Sequence, residues 1–128
     1  MKLVNIKEKP LVPASHENPE DPGVLKKVLF SASDFNPECG LKMLNYAVIQ
    51  PGRHFELHSH ETLEEVFYIL EGEGEITVGE ETQVIGPEEA VLIPVKTQHI
   101  MKNIGDGPLV YLAFGAASDE GRTISPFS

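Results

Sequence analysis

From Val24 to Phe114 no apolar run exceeds six residues before a glycine, a proline or a polar residue cuts it. No window sustains apolar residues at 3.6-residue spacing either, so a helix of any length would have no face to bury. Short strands remain. They are predicted at "VLKKVLF" (24–30), "LKMLNYAVI" (41–49), "EVFYIL" (65–70), "GEITV" (74–78), "TQVI" (82–85), "AVLIP" (90–94), "HIMKNI" (99–104) and "PLVYLAF" (108–114). Asn36 with Pro37, Cys39 with Gly40, Gly72, Gly79, Gly86 with Pro87, and "GDGP" (105–108) separate them. Strands at roughly 8–12-residue spacing predict an all-β sandwich or barrel. The first 23 residues, with Pro10, Pro13, Pro19 and Pro22, read as an N-terminal arm with an extended start near residues 3–6. The barrel is expected over residues 24–116 and a polar tail over 117–128.

Acidic residues outnumber basic ones twenty to ten, a formal charge of −10. Such a chain repels the phosphate backbone, so nucleic acid is not an expected partner. Cys39 is the single cysteine, which rules out an internal disulfide and fits a reducing compartment. The N-terminus lacks the apolar core of a signal peptide, and no run approaches the ~20 residues that span a bilayer. A cytoplasmic protein without a membrane partner is expected.

The stretch "GRHFELHSHETLEEVFYILEGEGEI" (52–76) concentrates histidines and glutamates ahead of an apolar strand. Side chains two apart on a strand share a face, so His58 and His60 can aim both rings at one point. A turn across "ETLE" would return Glu65, the last polar residue before "VFYIL", beside them. Imidazole and carboxylate are reasonable companions around a divalent ion, whose charge would stabilise an inward-facing Glu. Further on, His99, Met101 and Asn103 share one face of their strand.

Here the chain resembles the cupins. Their first motif, G-x5-H-x-H-x3,4-E-x6-G, is matched by Gly52, His58, His60, Glu65 and Gly72 with the four-residue spacer. Glu64 in place of Glu65 would put the closing glycine out of register. The second motif, G-x5-P-x-G-x2-H-x3-N, is matched at Pro94, His99 and Asn103, while Glu88 and Lys96 stand where glycines are usual. The resemblance implies a double-stranded β-helix, a jelly-roll barrel. It implies His58, His60, Glu65 and His99 as ligands of one divalent ion, Fe, Mn, Ni, Cu or Zn. It also implies a position at Lys96 that often has positive φ.

Three imidazoles and one carboxylate would leave an octahedral ion two open positions, which suits catalysis or ligand exchange. The expected function is an enzyme acting on a small organic acid or oxygenated carbon compound, dioxygenase-like or decarboxylase-like. The alternatives are a non-catalytic sugar- or acid-binding or sensing cupin, or a sugar or keto-acid isomerase. His54 and Tyr46 are the acid–base candidates, with His54 at a rim position. Asn103 is expected to hold a loop, Arg53 and Lys96 to be surface cations, Glu61 and Glu64 to be solvated, and His16 to be exposed in the arm. Cys39 reads as a small buried or turn residue. Tyr46, Phe67, Met101 and Phe114 are core or pocket-wall residues. Because "EVFYIL" is apolar on both faces, either the N-terminal segment or a second subunit should cover its outer side; cupins commonly dimerise through such a face, and a homodimer is the preferred expectation.

Overall fold

The computed structural model describes residues 1–119 and 121–127. Eleven strands follow in chain order: β1 Val12–Pro13, β2 Leu25–Phe30, β3 Leu41–Ile49, β4 Ser59–His60, β5 Leu63–Glu71, β6 Gly74–Val78, β7 Glu81–Ile85, β8 Ala90–Ile93, β9 His99–Asn103, β10 Leu109–Ala117 and β11 Thr123–Ile124. Short 3-10 turns at Ile6–Glu8 and Ala32–Asp34 are the helical pieces among the described residues. No helix of the described residues is long and apolar enough to cross a membrane. All eight expected strands are present, two with the expected bounds and the others with ends displaced by at most three residues.

One sheet has the order β1-β2-β3-β10-β5-β8, a second β7-β6-β9, and a third pairs β11 with β4. An isolated antiparallel bridge between His58 and His99 joins the two smaller sheets. The layers face each other across one core. Ile49, Phe67, Ile69, Ile93, Leu109 and Tyr111 from the large sheet meet Ile76, Ile85 and Met101 from the second. The sheets remain open, a sandwich form of the jelly roll.

Period-2 patterning accounts for these elements. β5 buries Leu63, Glu65, Phe67 and Ile69 while the residues between them turn outward. Glycine is required at Gly72 (φ 89°), where an added Cβ would stand 2.5 Å from the Pro108 carbonyl oxygen. Its left-handed backbone reverses the chain from β5 into β6.

The arm is not a solvated tether. β1 pairs with β2, and Ala14 and Glu17 are buried. The Glu17 carboxylate accepts from the backbone N–H groups of Gly23 (2.8 Å) and Glu56 (2.7 Å), fastening residues 14–17 to the sandwich. In the segment expected as a polar tail, positions 120 and 128 lie outside the described residues. Thr123–Ile124 pairs with β4 through Thr123 opposite His60.

Candidate metal centre

His58 and His99 exchange both backbone hydrogen bonds, His58 N–H to His99 O at 3.3 Å and His99 N–H to His58 O at 2.9 Å. Directly opposed residues of an antiparallel pair send their side chains to one face. The two imidazoles therefore enter the interior together, with ring centroids 4.3 Å apart. His60, two residues on, has the parity of His58, and Glu65 arrives from the inward row of β5. One ligand atom from each of His58, His60, Glu65 and His99 lies within 4.8 Å of all the others, and all four residues are buried.

The outer ring nitrogens decide what the inner ones can do. His58 Nδ1 lies 2.6 Å from the Glu56 carbonyl oxygen, and His99 Nδ1 lies 3.0 Å from that of Thr97. A carbonyl only accepts, so both Nδ1 atoms carry hydrogen and, in the neutral rings, both Nε2 atoms turn a lone pair inward. These Nε2 atoms are buried and have no hydrogen-bond partner. His60 Nδ1 instead meets the Thr123 hydroxyl at 2.8 Å. A hydroxyl donates or accepts, so the His60 proton can sit on either nitrogen.

Glu65 Oε1 stands 3.3 Å from His60 Nε2 and 3.4 Å from His99 Nε2. With His99 Nδ1 committed as a donor, neutral His99 would present a lone pair to that oxygen. A cation between them would turn that repulsion into attraction. Burial pushes the Glu65 carboxyl up, but the facing rings of His60 and His99 outweigh it and hold the group down at about 2. Burial, then the neighbouring His16 and His99, lower His58 to about 3, so its ring stays neutral and ligand-ready at ordinary pH. Orphaned inward nitrogens beside an ionised carboxylate are the donor set of an N3O metal site, and they fit a divalent ion.

A cavity of about 200 Å³ adjoins the cage, with His60 and Glu65 in its wall. Small side chains on the central strands, Ala47 of β3 and Ala113 of β10, leave this space open. Phe67 and Tyr111 line it as well, and Tyr111 is raised well above the usual phenol range by burial and by the charges of Glu65 and Glu17.

The two acid–base candidates are not brought to the cavity. His54 is exposed, with Nδ1 2.9 Å from the Phe55 carbonyl oxygen, and Tyr46 lies on the outer row of β3, its ring 5.9 Å from Lys27 Nζ. Asn103 does hold a loop: its Nδ2 donates to the carbonyls of Ile49 and Gly107 (both 2.8 Å), and its Oδ1 accepts from Gly105 N–H (2.9 Å). Arg53 pairs with Asp21 at 2.8 Å on the surface. Met101 is fully buried core, and Cys39 is an exposed turn residue. Glu88 (φ 69°) and Lys96 (φ 58°) both take left-handed backbone without being glycine. Lys96 N–H donates to the His60 carbonyl at 2.7 Å, which ties that turn to the cage.

His16 corrects the sequence expectation. Its side chain is only 17% exposed, and its ring stacks on His58 with centroids 3.8 Å apart. Burial lowers its pKa to about 4. Proline-rich polar sequence around it reads as solvated; the Glu17 fastening that draws it inward is a tertiary contact with no local pattern. Thr123, Lys26 and Tyr111 also join the site without a local sequence signal, since each lies apart from the histidine motifs.

The family model described as cupin domain matches residues 45–115. An uncharacterised protein of Methanocaldococcus jannaschii is 41% identical over 66 residues, 52% of this chain and 53% of that protein. The chain spans about half the length of the curated relatives it matches first. A predicted oxalate decarboxylase from Thermotoga maritima superposes with a TM-score of 0.79 at 22% identity, over 91% of this chain and 99% of the other. The polyketide cyclase RemF from Streptomyces resistomycificus gives 0.78 at 19% identity, over 100% and 87%. Likeness at these identities establishes the shared fold.

Proposed function

The chain belongs to the cupin family, and from that premise we propose that it is a metal-dependent enzyme acting on a small organic acid. One observation carries the reading: the buried, unpartnered Nε2 atoms of His58 and His99 converge with His60 on the ionised Glu65 beside a cavity. A divalent ion held by His58, His60, Glu65 and His99 would serve as Lewis acid and template, and as a redox centre if it were iron, copper or manganese. The chain's own part is positioning. Glu56 and Thr97 carbonyls fix two ring tautomers, the apolar Phe67 wall limits water, and Tyr111 keeps its proton on the phenol.

Cavity size supports a small substrate. At about 200 Å³ it falls below the ~300–1,000 Å³ typical of drug-sized ligands. That favours an acid of a few carbons over a polycyclic compound, and so the chemistry named for the Thermotoga maritima protein over that named for RemF. Two protic side chains beyond the cage, His16 and Tyr111, line the same cavity, which supports turnover over simple sequestration. We also infer a homodimer through the outer face of the large sheet, where Tyr68, Leu70 and Leu92 are 37, 42 and 57% exposed.

The test is elemental analysis of protein purified without chelator, beside His99→Ala. About one equivalent of a transition metal in the wild type, lost in the variant, is the expected result. Iron or copper would then direct the assay to oxygen consumption and manganese to carbon dioxide release. A wild type that takes up no metal even on reconstitution overturns the reading.

A further inference from the structure

The cavity reverses the charge balance of the chain. Acidic residues lead basic ones twenty to ten overall, yet the cavity wall carries two lysines, Lys26 and Lys42, and one carboxylate, Glu65. That carboxylate is engaged with His60 and His99. Lys26 lies on the inward row: it is opposite Ala47 of β3, which is opposite Tyr111 of β10. The row thus delivers an ammonium to the same space that the cage faces.

Among the described residues the Lys26 side chain makes no hydrogen bond and no ion pair; the charge of Glu65 is the attraction that acts on it. Burial lowers its pKa, and Glu65 opposes that shift. A half-buried, unpaired ammonium is costly, and a wall that needed only filling would be served as well by an apolar side chain of similar volume. Once Glu65 is committed to an ion, Lys26 loses its one compensating charge while the cavity as a whole becomes more positive.

Resting on the metal-site reading, we propose that the cavity selects a small dicarboxylate, with one carboxylate directed to the cage and the second held by Lys26. Lys26 is thereby a specificity-determining residue that separates two-charge acids from one-charge acids. Protein loaded with zinc, which is redox-silent, is titrated calorimetrically with malonate, succinate and glutarate, and with propionate as the one-carboxylate control. Zinc content is measured before and after.

At least one dicarboxylate should bind ten-fold or more tightly than propionate. Lys26→Met should abolish that advantage, weakening dicarboxylates far more than propionate, and retain zinc; Lys26→Arg should keep most of it. Equal binding of mono- and dicarboxylates by the wild type overturns the proposal, as does equal weakening of both in Lys26→Met, which would make Lys26 a structural residue. If the wild type takes up no zinc, the metal reading fails by itself. The same titration of metal-free protein, with the same two criteria, then decides Lys26 alone.

Discussion

His58, His16 and Glu65 all hold protons less readily in the folded chain than in the unfolded one. His58 falls from 6.5 to about 3 and His16 from 6.5 to about 4, with burial the leading cause for both. Glu65 falls from 4.5 to about 2 because its two facing rings outweigh its burial. Between about pH 6.5 and 3 the unfolded chain therefore binds protons that the folded His58 refuses, so stability declines as the pH drops through that window. Below 4.5 Glu65 adds a loss of the same sign. The melting temperature of metal-free protein should fall steadily from pH 7 to pH 4. A flat or rising profile would mean that the rings are already charged in the folded state. The same protons compete for the ligand nitrogens, so acid should also release metal.

At the scale of elements, the two-residue strands matter more to the site than their length suggests. β11 contributes little area, but its Thr123 hydroxyl fixes the outer nitrogen of His60. Groups that orient metal-ligating histidines typically change metal affinity about 10–100-fold when removed. Thr123→Val should weaken metal binding by that order and Thr123→Ser should restore it, with the circular dichroism spectrum unchanged in both; competition against a chromogenic chelator measures the difference. Long strands were legible in the sequence because alternation over five to nine residues, as in β5 and β6, records which face is buried. The cage was legible because strand parity joins His58 to His60 and one motif spacing selects Glu65. β1, β4 and β11 have two residues each, too few to show a period. His16, Lys26 and Thr123 escaped for a related reason: the folded arm, the β2–β3–β10 row and the β11–β4 pair respectively bring them to the cavity from far along the chain.

At the scale of the whole molecule, the large sheet buries one face against the core and leaves Tyr68, Leu70 and Leu92 on the other. Register places Tyr68 opposite Ala90 and Val66 opposite Leu92, so these side chains form a continuous apolar band across β5 and β8. An isologous pair of such bands is the simplest way to remove it from water. Light scattering should report a dimer, and Leu92→Lys should shift it toward monomer while retaining the fold; a wild-type monomer at high concentration would reject the arrangement. The cage itself is braced from both directions along the chain, by His16 stacked on His58 and by Thr123 bonded to His60. During synthesis all four ligands emerge well before residue 123 does. A ligand set complete in sequence is therefore not yet a complete site, because His60 is oriented only once the segment around Thr123 docks on β4. Assembly order is thus written into the fold: the four ligands come first along the chain, and the group that aims one of them comes later.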